Sequence, residues 1–279
     1  MRLRTLLATI LLGGWSTAAA HATGVPPEVD EAFDRGTIEV ETDQGLRAFG
    51  FRMHRPESAS PKTPLPLIVF LHGAGERGDD NARQLAHFPD RWVSEPHLAK
   101  RHDAIVLAVQ CPENETWSPT RRNEQGEWSA DAAAPMTDSM RAVIAKIREL
   151  AQDPSIDRSR IYLTGLSMGG FGSWDLARRH PDWFAAVVPI CGGSDAVFGP
   201  AFAASEIPIW NVHGAADQVV SVDLSRAIVK SIRDAGGRIG YTELPGVGHG
   251  AWNMAYGPGG CMTWMFAQQR PTPAEISAP

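Results

Sequence analysis

The chain has 279 residues, 43% of them hydrophobic, which suffices for a sizeable core in one large α/β domain or two small ones. Its formal net charge of −6 argues against nucleic acid or any other polyanion as the main partner. Three cysteines, Cys111, Cys191 and Cys261, cannot all pair with one another; one bridge is open but not deducible, and buried free thiols are the favoured reading. The histidines lack ligand-like spacing with each other or with cysteines, so a zinc site is not expected.

Residues 1–22 read as a secretory leader. Arg2 and Arg4 precede an apolar run from Leu6 to Leu12, and small residues follow at Ala18, Ala19, Ala20 and Ala22. The run is shorter than the about 20 apolar residues that cross a bilayer, so cleavage after Ala20 or Ala22 is expected rather than anchoring. The implied product is secreted or periplasmic, with no integral membrane span. Without Arg2 and Arg4, 24 basic side chains face 32 acidic ones.

From 23 to 270 the pattern is that of a single α/β domain. Segments 37–41 and 46–53, joined by Thr42-Asp43-Gln44-Gly45, predict an antiparallel hairpin that opens the sheet. Near-continuous apolar runs at 67–71, 104–109, 161–163, 185–190 and 207–212 predict strands covered on both faces, and 239–244 a final one. Between them, Met136, Met140, Val143, Ile144, Ile147 and Leu150 recur at helical spacing and stop near Asp153-Pro154. Leu224, Ile228, Val229 and Ile232 repeat the theme. Parallel strands need helical crossovers, so a mostly parallel sheet with helices on both faces follows. The polar stretch 112–135 has no period and predicts a long connection. Residues 271–279, rich in Pro and Ala, predict a frayed tail.

The chemistry centres on Gly165-Leu166-Ser167-Met168-Gly169, which directly follows a predicted strand and precedes a helix-like run, 171–179. A serine on such a turn projects its hydroxyl above the sheet, and the flanking glycines relieve crowding. The bland reading, an inert serine in a glycine-rich turn, does not account for that strand and helix. A serine hydroxyl needs a base, and the base needs a carboxylate to orient it. Both follow in the order Ser, Asp, His: Asp217 lies past the strand ending at Val212-His213, and His249 lies in Gly246-Val247-Gly248-His249-Gly250. Asp223 competes with Asp217 but looks like part of a helix N-terminus. His72 and His213 sit at strand ends, where a structural hydrogen-bonding role competes with the base role.

Charge on the substrate carbonyl oxygen requires two donors. Leu71-His72-Gly73-Ala74-Gly75 follows a strand and supplies one amide, assigned to Ala74 with Gly75 as the alternative; Met168 supplies the other. A phosphate-cradle reading of this loop fails for want of a Gly-Lys-Ser/Thr ending. Trp117 and Trp252, ahead of Trp128, are candidates for aromatic walls of a substrate pocket, against the commoner use of tryptophan in cores. Gln110 and Arg77 are candidates for polar substrate contacts, against structural roles.

Four segments together resemble a known group: Leu71-His72-Gly73-Ala74-Gly75-Glu76-Arg77-Gly78-Asp79-Asp80-Asn81, Val109-Gln110-Cys111-Pro112 with Trp117, Gly165-Leu166-Ser167-Met168-Gly169-Gly170-Phe171-Gly172, and His180-Pro181-Asp182-Trp183-Phe184-Ala185-Ala186. They are similar to secreted bacterial esterases related to feruloyl esterases, acetyl-xylan esterases and polyhydroxybutyrate depolymerases, in a branch described as predicted peptidase or phospholipase/carboxylesterase. The resemblance covers about 67–264 and implies the α/β-hydrolase fold, with lidless or lightly capped hydrolysis of carboxylic esters, small or attached to plant polysaccharide. No cofactor or metal is implied. A serine peptidase of prolyl-oligopeptidase type is one alternative, although no gating propeller fits in the chain. A non-catalytic carbohydrate-binding relative is the other.

Overall fold

The computed structural model describes residues 24–99, 102–122, 128–131 and 134–278, so the leader-like segment lies outside the described residues. The strands are β1 (Asp34–Thr42), β2 (Gly45–His54), β3 (Leu65–Leu71), β4 (Ile105–Val109), β5 (Thr120–Arg122), β6 (Trp128–Ala130), β7 (Ile156–Leu166), β8 (Ala186–Ile190), β9 (Trp210–Gly214) and β10 (Gly240–Leu244). Eight form one sheet in the order β1-β2-β4-β3-β7-β8-β9-β10. The β1–β2 hairpin joins it antiparallel, and every pairing from β4 to β10 is parallel. Both features follow the expectation. The stretch read as irregular connection instead carries a small antiparallel ribbon, β5 with β6.

Helices in chain order are α1 (Pro27–Glu31), α2 (Phe88–Ser94), α3 (Pro96–Ala99), α4 (Asp138–Leu150), α5 (Met168–Arg179), α6 (Gly199–Ser205), α7 (Val222–Asp234), α8 (Trp252–Ala255) and α9 (Met262–Phe266). The strand period of two sends alternate side chains to opposite faces, and the core divides accordingly. Leu67, Val69, Leu71, Ile161 and Leu163 pack with Met140, Val143 and Ile147 of α4, Trp174 of α5 and Ile228 and Ile232 of α7. Ile68, Phe70, Val106, Ala108, Tyr162 and Val188 pack with Phe88 and Trp92 of α2 and Met262 and Met265 of α9. Burial of each large aliphatic side chain contributes about 2 kcal/mol, so the two layers supply most of the driving force. The longest helices start where sequence chemistry provides a cap: Thr137 accepts from the Met140 amide ahead of α4, and Ser221 from the Asp223 amide ahead of α7.

Two other readings are corrected or settled. The tail at 271–278 does not fray: Ala274 and Ile276 are buried, the Ala274 amide donates to the Arg158 carbonyl, and Gln152 donates to the Ile276 carbonyl. Cys111, Cys191 and Cys261 are all buried and unpaired.

What positions a site on this scaffold is the turn after β7. Ser167 has φ 54° and ψ −117°, a conformation that side chains rarely adopt. It is held because α5 approaches β3 closely: a Cβ on Gly169 would lie 1.9 Å from the Leu71 carbonyl oxygen, and one on Gly165 would lie 2.4 Å from that of Gly169. The neighbouring loop after β3 is fastened by His72. Its Nδ1–H donates to the Gly73 carbonyl (2.7 Å) while Nε2 accepts from the Cys111 amide (3.0 Å), an arrangement that only the neutral ring can make. Burial pushes its pKa down from the ordinary 6.5 to about 4.

Two predictions follow from these contacts. Gly169→Ala should lower stability by about 3 kcal/mol or more in urea unfolding, whereas Gly75→Ala, with nothing within 4 Å of the added carbon, should cost under about 1 kcal/mol. For His72 the folded pKa lies below the unfolded one, so between pH 6.5 and 4 the unfolded chain binds the extra proton. Stability should therefore fall by up to about 3 kcal/mol as pH drops through that window. Unfolding curves of His72→Gln should lack this component of the slope.

Candidate active site

The carboxyl ends of β3, β7, β9 and β10 lie along one edge of the sheet, and each contributes through the segment that follows it. Ser167 leaves β7, with its amide donating to the Ile190 carbonyl at 2.8 Å. Asp217 sits three residues beyond β9, in a turn closed by its own amide on the Gly214 carbonyl. His249 follows β10 on a loop whose Val247 carbonyl accepts from the Ala216 amide. This bond laces the aspartate and histidine loops together.

The three side chains meet. Ser167 Oγ lies 2.8 Å from His249 Nε2, and His249 Nδ1 lies 2.7 Å from Asp217 Oδ2. With the carboxylate ionised, Nδ1 carries the proton and donates, which leaves Nε2 free to accept the serine hydroxyl. The Asp217 side chain is fully buried. Burial alone would raise its pKa, but hydrogen bonds from His213, His249 and the Val220 and Val219 amides outweigh it and hold the group far below the usual carboxylate range. The rival Asp223 points into solvent and pairs with Arg226 at 2.7 Å.

His213 is the residue that sequence reasoning weighed as a competitor and did not connect to Asp217. Its Nε2 lies 3.2 Å from Asp217 Oδ2 and 3.0 Å from the Val220 carbonyl oxygen, and its Nδ1 meets the Ser225 hydroxyl at 2.7 Å. Asp217 thus serves two imidazoles on one oxygen and two amides on the other. The spacing of His213 and Asp217, four residues apart across a strand-end turn, was the available signal. Among the described residues, Cys191, His213 and Asp217 alone offer clustered donor atoms suited to a metal, within 4.8 Å of one another. These atoms are engaged: the two side chains bond each other, and burial pushes the Cys191 thiol up to about 12.

In front of Ser167 lies a cleft of about 260 Å³, lined by Ala74, Arg77, Thr116, Thr120, Trp128, Met168, Phe171, Val219 and Val220. Ala74 and Met168 both face it, whereas Gly75 lines a separate cavity of about 420 Å³ with Glu76, Arg83 and His87. Among the described residues, neither the Ala74 nor the Met168 amide has an acceptor.

The expected pocket contacts need correction. Trp117 is fully buried, its indole N–H donating to the His72 carbonyl at 2.9 Å, so it reaches no substrate. Gln110 is 2% exposed. It braces the loop after β3, accepting from the Asn81 amide and donating to Asp80 and the Glu76 carbonyl. Trp252 lies outside the cleft and sets its ring edge-on against His249, centroids 5.2 Å apart, where it restricts the imidazole. Among the described residues, the tryptophan that lines the cleft is Trp128, the one placed behind the other two, and Phe171 is the other aromatic side chain there.

Comparison with known proteins agrees with this architecture. The phospholipase/carboxylesterase family model matches residues 56–256. A bifunctional acetylxylan esterase/xylanase of Neocallimastix patriciarum is 28% identical over 65% of this chain and 23% of its own length. A crystal structure of a thermostable esterase is 36% identical and superposes with a TM-score of 0.73, covering 87% of this chain and 64% of that one. The feruloyl esterase module of Clostridium thermocellum, 13% identical with a TM-score of 0.57, covers 92% and 94% of the two chains and shows the shared fold. The chain thus spans under two thirds of the Neocallimastix protein and of the thermostable esterase. With an α/β-hydrolase sheet and a matching family model over most of its length, the protein belongs to the phospholipase/carboxylesterase family.

Proposed function

We propose that this protein is a serine carboxylic-ester hydrolase working through an acyl-enzyme on Ser167. The observation that carries the reading is the pair of hydrogen bonds from Ser167 to His249 (2.8 Å) and from His249 to a buried, ionised Asp217 (2.7 Å). Ser167 Oγ attacks the ester carbonyl carbon as its proton passes to His249 Nε2. The carbonyl oxygen, now negative, is held by the amides of Ala74 and Met168, which have no other acceptor among the described residues. Collapse of this intermediate breaks the bond to the alcohol oxygen, which leaves with the proton from Nε2. Water repeats the sequence on the acyl-serine and releases the acid. Asp217 fixes the tautomer and stabilises the imidazolium.

The substrate class follows from similarity and is part of the proposal: acyl or feruloyl esters carried by plant polysaccharide, in line with relatives named for acetylxylan and feruloyl esters. So is export, which rests on the leader-like order of residues 1–22 and is read from the N-terminal mass of the processed chain. Among the described residues no helix is long and apolar enough to cross a membrane.

Rapid mixing with p-nitrophenyl butyrate should give a burst of p-nitrophenol, and Ser167→Ala should abolish both burst and turnover. Asp217→Asn should lower kcat by about 10³- to 10⁴-fold with the fold intact. A fluorophosphonate probe should add its mass to the peptide containing Ser167. No labelling and no ester turnover would sink the proposal, and would favour a carbohydrate-binding relative if sugar binding persisted. Faster cleavage of p-nitroanilides than of esters would favour a peptidase.

A further inference from the structure

Among the described residues, Arg77 is the one charged side chain lining the cleft in front of Ser167. Its guanidinium is held by two backbone carbonyls, Nε donating to Ala74 (3.0 Å) and one terminal nitrogen to Glu115 (3.3 Å). Carbonyls orient a cation without neutralising it. Among the described residues no carboxylate lies within ion-pair distance of Arg77, although the other arginines of this loop region are matched: Arg83 pairs with Asp80, and Arg47 with Glu115 and Asp138. The second terminal nitrogen has no acceptor among the described residues. Among the described residues the remaining lining is two threonines, an alanine, a methionine, two valines, Phe171 and Trp128 beside Ser167, with no carboxylate to compete for the charge.

A guanidinium fixed in place, uncompensated and facing a partly apolar cleft beside a nucleophile suits a planar carboxylate, which its fork can meet with two parallel hydrogen bonds. The protein as a whole is acidic, with a formal net charge of −6, so a cation at the cleft is not the by-product of a generally basic composition. We infer that Arg77 forms a carboxylate-binding subsite and that the preferred esters carry a carboxylate on the acyl or the alcohol side of the scissile bond. This rests on the esterase reading for its placement beside the reacting bond. Arg77 also steadies the Ala74 carbonyl, so a purely structural role predicts an equal loss for all substrates.

The test compares kcat/KM for matched esters on both sides of the bond. On the alcohol side the pair is 4-carboxyphenyl butyrate and 4-carbamoylphenyl butyrate. On the acyl side it is the p-nitrophenyl monoester of adipic acid and p-nitrophenyl hexanoate. The anionic member of one pair should be preferred about ten- to a hundredfold, the range of a charge-assisted hydrogen bond, and the pair that shows it identifies the side. In Arg77→Gln that ratio should fall towards one, mainly through KM. In Arg77→Lys, which keeps the charge and loses the fork, it should recover in part. Calorimetric titration of the protein with benzoate and with benzamide gives a readout independent of turnover: benzoate should bind at least about tenfold more tightly, and Arg77→Gln should remove the difference. Equal binding of the two, or an anion-to-neutral ratio that Arg77→Gln leaves unchanged, overturns the subsite even if ester turnover is robust. Selective benzoate binding without any ester turnover would uphold the subsite and defeat the esterase reading instead.

Discussion

The close approach of α5 to the end of β3 is the constraint on which the rest of the site depends. It allows the chain to reverse within one residue at Ser167, in a backbone conformation that the surroundings must enforce. Glycine at 165 and 169 is what the approach requires, because any side-chain carbon there would meet backbone oxygen well inside contact distance. The same approach brings Met168 and the loop carrying Ala74 to one cleft with Ser167, so the proposed nucleophile and the amides proposed to hold the oxyanion are set by one packing event. Strain at the serine is thereby borne by the sheet and the helix.

The second organising element is Asp217, which is less a member of a linear chain than a hub. His249, His213 and two backbone amides all converge on its two oxygens. A carboxylate so surrounded has little rotamer freedom, and the histidine it orients inherits that fixity. Trp252 adds a restraint from the other side of the ring and itself leans on His87. The imidazole is therefore positioned by a shell of packed aromatic and hydrogen-bonding groups, and the single bond to aspartate is one part of it.

The architecture was largely legible in the sequence, because buried parallel strands are written as apolar runs and the helices between them keep a helical period. The order of Ser167, Asp217 and His249 relative to those strands was equally readable, and the structure brings the three together. Illegible were the assignments that depend on which way a loop folds. Trp117 and Trp128 stand in the same polar stretch, and residue type does not say that one indole will be drawn inward by the His72 carbonyl while the other ends on a ribbon facing the cleft. Gln110 is by residue type a candidate for a polar substrate contact. Its amide instead satisfies buried groups of the adjoining loop, a demand that appears only once the loop is folded over it. The carboxyl tail was misread for a related reason. Proline and alanine suggest disorder, yet Ala274 and Ile276 fill a gap in an existing core.

The three interior sulfurs carry a consequence of their own. Thiol exchange starts from the thiolate, and burial disfavours that form at all three groups, pushing each up to about 12, well above neutral pH. With no cross-link to make or break, glutathione and oxidants find no handle on the native molecule. Such a fold matures without a disulfide-forming catalyst and keeps the same stability on either side of a redox boundary.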